Sequence, residues 1–180
     1  MWLGIAALLV LAVSGCGKAA APAPRVSVTQ TWDPTAADSA CQLVTEHDAS
    51  SALGHDPGPG VPSSFQLSGH PVYLHNCQYG DSQKGVWVEI STSPNAVSGF
   101  ETSSRSTIAS QEAEPLDGIG QAGFIAFGDP GRADPGPPHW YVAFLKGSAI
   151  FTAAVALNGR DQAAVRQLAV DLARAAADRM

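Results

Sequence analysis

The later part of the chain contains the stretch HWYVAFL-KGS-AIFTAAVAL at residues 139–157. Aromatic and β-branched residues fill both apolar runs, which is typical of buried strands, and the three residues between the runs are typical of a tight turn. Beyond this stretch, Asn158 with Asp161 can cap a helix in which Leu168 and Leu172 recur at helical spacing. The sequence here predicts an antiparallel hairpin followed by a helix that packs on the sheet.

Three more strands are predicted upstream of that hairpin. Residues 72–79 and 86–91 are rich in β-branched and aromatic side chains and flank a turn-forming segment, so they predict a second hairpin. Residues 123–127 predict one further strand. Within 86–91, Trp87 and Glu89 alternate with valine and isoleucine, which indicates that this strand has one face on the core.

The N-terminal half of the folded part predicts short helices. Ser39 and Gln42 have the spacing of a capping box, and Thr45 with Asp48 repeats that spacing before a helix over about 46–53. A glycine directly after this segment can end the helix in a left-handed conformation.

Two segments show weaker patterns. Residues 55–64 contain three prolines and two glycines and predict a loop, whereas the polar residues 95–114 predict at most a weak surface helix.

The predicted fold class is α+β: a single domain with an antiparallel sheet of about five strands, packed on one face by an N-terminal helix and a long C-terminal helix. A β-sandwich is the alternative, and the C-terminal helix argues against it.

Length and charge narrow the class of protein. The chain has 180 residues, which suits one domain, and its formal net charge is −6. Lysine and arginine do not cluster, so the sequence lacks the basic surface that binds phosphates. We therefore expect no nucleic-acid partner.

The first residues predict export. Trp2 to Val13 form an uncharged run of small and apolar residues that is too short to span a bilayer as a helix, and it predicts a signal peptide. The next residues complete the run LAVSGC, which ends at Cys16 and resembles the bacterial lipobox, whose cysteine thiol takes a diacylglyceryl group. The alternatives are a secretory signal cut after the alanines at 19–21 or a buried apolar helix.

This interpretation divides the chain into three parts. Residues 1–15 are the lipoprotein signal peptide, residues 16–37 the lipidated N-terminus with a flexible linker, and residues 38–180 the globular domain. Small residues and prolines keep the linker extended, so it can hold the domain up to about 60 Å from a lipid surface.

The cysteine count agrees with export. Three cysteines in an oxidising compartment leave one unpaired, and lipidation of Cys16 would remove the odd thiol. Cys41 and Cys77 then predict a disulfide. The alternatives are two reduced buried thiols and, with less support, a metal pair, because neither cysteine has a second cysteine at ligand spacing.

Four pieces of the sequence resemble a known family. They are the lipobox at Cys16, the segment Cys41–Gly54, the tripeptide Cys77-Gln-Tyr79, and the turn Gly118–Ala122 before a strand. Together they resemble the small mycobacterial-type (actinobacterial) cell-envelope lipoproteins of the Lpq/Lpr kind. The resemblance implies an exported, lipid-anchored, single-domain protein with one internal disulfide. It implies no reaction and no ligand.

The sequence contains no catalytic or metal signature that assigns a chemistry. The serine-hydrolase and zinc-protease motifs and the glycine-rich phosphate loop are missing, and no cofactor is indicated. His47-Asp48 and His55-Asp56 look like repeated metal pairs, and His70, His75 and His139 could join them. The simpler interpretation is that these are exposed helix, loop and strand residues.

The aromatic residues give the binding hypothesis. Trp87 and Trp140 could line an apolar groove for a lipid or an envelope protein, although ordinary sheet packing would also explain them. We therefore expect a non-enzymatic ligand-binding, sensing or docking module on the extracytoplasmic face of the cell membrane, anchored through Cys16. The alternatives are an envelope hydrolase with a site assembled from distant residues and an accessory subunit of a membrane transporter.

Overall fold

Seven strands form one antiparallel sheet in the computed structural model of this chain. The structure describes residues 32–66, 73–81, 84–110, 113–128 and 138–180, with the backbone alone at 103 and 105–110. The strands are β1 Val61–Gln66, β2 Tyr73–Tyr79, β3 Val86–Thr92, β4 Glu114–Pro115, β5 Ala122–Phe127, β6 His139–Lys146 and β7 Ala149–Ala156. The strand order is β1-β2-β3-β7-β6-β5-β4, so the hairpin β6–β7 is inserted between the earlier and later strands.

Helices cover both faces of the sheet to different extents. α1 (Ser39–Leu43), α2 (Glu46–Leu53) and α4 (Gln162–Arg179) pack on one face, where the main core lies. α3 (Ala96–Ser110) packs on the opposite face against β5, β6 and β7. None of the helices in the described ranges is both long and apolar enough to cross a bilayer.

The main core follows from strand alternation. Every second residue of the central strands points towards α1, α2 and α4, and these side chains are buried with the apolar stripe of α4. Phe144 and Phe151 stack at its centre with ring centroids 4.8 Å apart. The buried members include Val86, Val88, Ile90, Val142, Val155, Val165, Ala169 and Ala173.

Polar bonds fasten the helices on this face. The Tyr79 hydroxyl on β2 donates to the carbonyl of Val44, directly after α1. Arg160, just before α4, donates to the carbonyl of Ala52 in α2 at 2.6 Å. Trp32 packs against the core, and its indole nitrogen donates to the carbonyl of Ser39 at 3.3 Å.

The structure confirms the α+β class and the antiparallel sheet, and it corrects the strand count from about five to seven. β1 arises from the segment 61–66, which partly lies in the predicted loop. It is an edge strand exposed at every position, where Pro62 is tolerated because edge strands leave some backbone groups unpaired. β4 has only two residues and pairs with β5 at the other edge.

Helix positions were predicted more closely than helix caps. The Thr45–Asp48 capping box is confirmed, and Gly54 ends α2 with a φ of 75°. The predicted box at Ser39 is wrong, because the cap residue of α1 is Asp38 and Ser39 is buried within the helix. Asn158 is not the cap of α4: its side chain donates to the carbonyl of Lys84, and Asp161 caps the helix instead.

One prediction about packing is also corrected. The helices do not share a single face of the sheet, because α3 places Ala96 and Phe100 on the opposite face against Phe124, Ala143 and Leu145. The predicted signal peptide 1–15, Cys16 and most of the predicted linker 16–37 lie outside the described residues.

Candidate functional site

The face of the sheet opposite the main core is covered unevenly. α3 packs over β5, β6 and one end of β7. On the same face, the strands β1, β2 and β3 carry side chains that range from exposed to partly buried. The part of this face formed by β1, β2, β3 and β7, called the open face below, is where a ligand could reach the sheet.

Three polar side chains form a row across the open face. Asn76 on β2 lies opposite Glu89 on β3, and Glu89 lies opposite Thr152 on β7. Residues directly opposite each other in antiparallel strands have Cβ atoms about 4.5–5.5 Å apart and share a face. Asn76, Glu89 and Thr152 are called the polar row below. Ser63 on β1 extends it to the edge of the sheet.

The polar row has unused hydrogen-bonding capacity. Within the described ranges, the Asn76 Oδ1 and Thr152 Oγ1 atoms are buried without a hydrogen-bond partner. The Thr152 residue as a whole is 7% exposed. A buried polar atom in this state costs about 1–3 kcal/mol. Because native proteins keep few such groups, two of them in one row indicate a place that a ligand could complete.

Glu89 is the charged member of the polar row. Its carboxylate makes no hydrogen bond or ion pair among the residues that the structure describes. Burial raises the pKa of this carboxyl above its ordinary value, because the charged form loses solvation without gaining a partner. Perturbed acids in partly buried places are candidates for functional residues.

Aromatic side chains border the polar row on one side. Trp87 lies opposite Ala154, and Ala154 lies opposite Tyr141, so the small alanine separates two aromatic residues on the same face. Trp87 and Tyr141 are both partly exposed. The Tyr141 ring contacts the Phe124 ring beneath α3 at a centroid distance of 6.1 Å.

The two tryptophans of the binding hypothesis do not share a surface. Trp87 is on the open face, whereas Trp140 lies under α4 on the core face and is 7% exposed. The Trp140 indole nitrogen donates to the carbonyl of Gln162 at 2.7 Å, and the guanidinium of Arg166 lies 5.8 Å from its ring centroid. Packing therefore accounts for Trp140, and of the pair only Trp87 is placed where a ligand could contact it.

The predicted disulfide is confirmed. Cys41 in α1 and Cys77 in β2 are bonded, with an S–S distance of 2.06 Å and a Cα–Cα distance of 5.2 Å. The bond joins the first helix to the strand that contributes Asn76, one residue before Cys77. It therefore holds α1 against the core side of the strand that carries one end of the polar row.

The histidines have separate environments. His47 is exposed on α2, and His55 Nδ1 lies 3.2 Å from the carbonyl oxygen of Leu53. His75 is buried on the core face, with neither ring nitrogen hydrogen-bonded in the described part of the chain. His139 begins β6, and His70 lies outside the described residues.

The carboxylates that follow two of these histidines in sequence accept hydrogen bonds from nearby backbone nitrogens. Asp48 accepts from the Thr45 backbone nitrogen at 2.7 Å, and Asp56 accepts from the Gly58 nitrogen at 2.8 Å. Within the described ranges, no three His, Cys, Asp or Glu side chains are close enough to hold a metal ion.

The polar row was missed at the level of sequence. The alternation in β3 places Glu89 beside Trp87 and away from the valines, which is the one available signal. Thr152 sits inside a continuous apolar run, and Asn76 is next to a cysteine, so neither stands out. Only the insertion of β7 beside β3 brings the three side chains together.

Comparison with known proteins gives no match, since no family model, curated protein or solved structure is significantly similar to this chain.

Proposed function

We propose that this chain is an exported lipoprotein of the cell envelope and that its folded part is a non-enzymatic binding module. The Cys41–Cys77 disulfide is the observation that carries the first half of this proposal. Stable disulfides belong to oxidising compartments outside the cytosol. With these two cysteines paired, Cys16 is the odd one, and it directly follows the apolar leader.

A lipid on Cys16 would explain both the leader and the odd thiol. The run LAVSGC matches the pattern of a bacterial lipobox, and the likeness to actinobacterial cell-envelope lipoproteins supports the same modification. The protein would then sit on the extracytoplasmic face of the cell membrane. Alanines and prolines follow Cys16, so the tether would be extended and would leave the domain free to meet a ligand.

The binding role is supported by the polar row. Two buried acceptors without partners and one carboxylate without a counter-ion, all among described residues, lower the stability of the free domain. A ligand that donates hydrogen bonds would remove that cost on binding. The arrangement contributes one acid, one amide and one hydroxyl, and it suits recognition better than a reaction because no paired nucleophile and base belong to it.

The lipid anchor is tested by acylation. The full-length chain is expressed in an actinobacterial host with a labelled fatty acid such as a palmitate analogue, and the denatured mass is measured. We expect label and acyl mass on the wild type and none on Cys16→Ala. The matched control is the double variant Cys41→Ala/Cys77→Ala, which should keep the label. Label on Cys16→Ala, or an unmodified wild type, would contradict the anchor.

The binding role has a separate test. Native mass spectrometry of protein extracted gently from its own envelope reports any molecule that denaturation removes. We expect such a molecule on the wild type and a lower occupancy on Glu89→Gln. Equal occupancy in the two proteins would place the molecule away from the polar row.

A further inference from the structure

The four strands of the open face direct one charged side chain to it. Glu89 is the only ionisable side chain that β1, β2, β3 and β7 direct to this face. Its neighbours across the strands are the amide Asn76 and the hydroxyl Thr152, and no lysine or arginine on these four strands faces it. A ligand that complements this surface therefore carries a positive charge.

The neighbours of Glu89 also determine which hydrogen-bond acceptors a ligand would meet. Asn76 Oδ1 and Thr152 Oγ1 are buried and, among described residues, have no partner, so each can accept a hydrogen bond from a ligand once a rotation of its side chain exposes the oxygen. A primary ammonium group has three donors, which matches one carboxylate, one amide oxygen and one hydroxyl. A divalent metal fits less well, because calcium takes six to eight oxygen ligands and most sites supply several carboxylates.

Trp87 and Tyr141, called the aromatic border of the polar row, determine which group the ligand carries beside its ammonium. Trp87 is two residues from Glu89 on the same strand and face, which places their Cα atoms about 7 Å apart. Tryptophan is the best aromatic partner for a cation. Ala154 leaves space between Trp87 and Tyr141 that an apolar body could fill.

We infer that the polar row and its aromatic border bind a small organic cation, a primary amine on an aryl or alkyl body. The ammonium lies at Glu89 between Asn76 and Thr152, and the body covers Ala154 beside Trp87. This inference names the ligand class for the binding role proposed above and rests on that role. It does not depend on the lipid anchor.

The test uses the full-length protein in detergent and two probes that differ only in charge. Phenethylamine is titrated calorimetrically at neutral pH, and phenethyl alcohol is the neutral probe. We expect the amine to bind at least about tenfold more tightly than the alcohol, because a hydrogen bond to a charged group contributes a tenfold factor or more. The indole N–H signal of Trp87, assigned with Trp87→Phe, should shift with the amine.

Two variants test whether Glu89 and Thr152 bind the ammonium group. Glu89→Gln keeps the shape and removes the charge, and Thr152→Val keeps the shape and removes the hydroxyl. We expect a loss of at least about tenfold in amine affinity for Glu89→Gln and about threefold for Thr152→Val. The matched control is Glu46→Gln, an exposed acid on α2 at the other face of the sheet, which should bind like the wild type.

Each contrary result has one meaning. Equal binding of the amine and the alcohol, equal binding by Glu89→Gln and the wild type, or no binding of the amine up to millimolar concentration would overturn the inference. The proposed binding role fails by a different result, namely an extracted protein whose native and denatured masses agree. The two failures are therefore distinguishable.

Discussion

Arg179 in the last turn of α4 donates to both carboxylate oxygens of Asp48 in α2, at 2.6 and 3.1 Å, across 131 positions of sequence. The same guanidinium donates to the carbonyl of Leu43 at the end of α1 at 2.6 Å. Asp48 is also the acidic residue of the α2 capping box. One guanidinium thus links the C-terminal helix to both N-terminal helices.

This link predicts acid sensitivity. Burial alone would raise the pKa of Asp48, but hydrogen bonds from Arg179 and Thr45 outweigh it and hold the pKa below the ordinary value. A depressed folded pKa contributes stability above the unfolded value, near 4, and that stability is lost as pH falls through the folded value. Asp48→Asn should cost about 1 kcal/mol at neutral pH and less at about pH 3, which lies below the unfolded pKa.

Urea unfolding at the two pH values measures this difference. Asp178→Asn is the control, because Asp178 is an exposed acid on α4, next to Arg179 in sequence. An equal loss for Asp48→Asn at both pH values would show that the charge of Asp48 does not stabilise the fold.

The buried hydroxyl of Tyr79 predicts that the fold also loses stability at high pH. Its hydroxyl donates to the Val44 carbonyl in the core, so Tyr79→Phe leaves that carbonyl without its donor and should cost about 1–2 kcal/mol. Tyr73→Phe is the matched control, since Tyr73 is 40% exposed and lies at the other end of the same strand. A similar effect of both changes on urea unfolding would contradict the role of the buried hydroxyl.

Burial, with the nearby charge of Asp48, raises the pKa of Tyr79 to about 12. The folded state therefore holds the phenol proton more tightly than the unfolded state. The stability from the protonated phenol is full below pH 10 and is lost as pH rises from there through about 12. Absorbance at the phenolate band should show one tyrosine of the wild type titrating late, and Tyr79→Phe should remove it.

The disulfide predicts a redox effect on stability. Cys41 and Cys77 close a loop with a sequence separation of 36, for which chain entropy gives about 4 kcal/mol. Reduction should lower the free energy of unfolding of the wild type by roughly this amount in urea titrations. Cys41→Ala/Cys77→Ala should be as unstable as the reduced wild type and should not respond to reductant. A response in that variant would mean that reductant acts elsewhere.

Glu89 predicts a gain of stability on mutation. Its raised pKa means that the charged form is disfavoured in the folded state, so its stability contribution is full below the unfolded pKa and is lost as pH rises through the folded value. Glu89→Gln should therefore raise the Tm at neutral pH, with little difference at about pH 3. A lower Tm at neutral pH would show that the carboxylate has a stabilising partner.

The sequence predicted those parts of the fold that depend on local patterns. The strands around Val88 and Phe144, the Thr45–Asp48 capping box and the Cys41–Cys77 pair all follow from alternation, spacing or parity within short stretches. β1 was missed because a strand at the sheet edge needs no buried face, and this strand is exposed at every position.

The candidate site depends on sheet order, which local patterns do not contain. Thr152 and Glu89 are neighbours because β7 pairs with β3 as well as with β6. A simple hairpin prediction pairs β7 with β6 alone. The same order places Trp87 and Trp140 on opposite faces, which separates two residues that composition alone would group together.

The disulfide also sets the path of mechanical load through the molecule. A pull on the segment before Trp32 reaches Cys41 within the first helix and passes through the sulfur atoms to Cys77 in the sheet. The intervening chain, with α2 and β1, lies inside a covalent loop that is not extended when the fold is pulled apart. A chain pulled by its two ends can therefore be stretched without extending that loop, and single-molecule pulling should give a contour length that grows by the length of the loop after reduction.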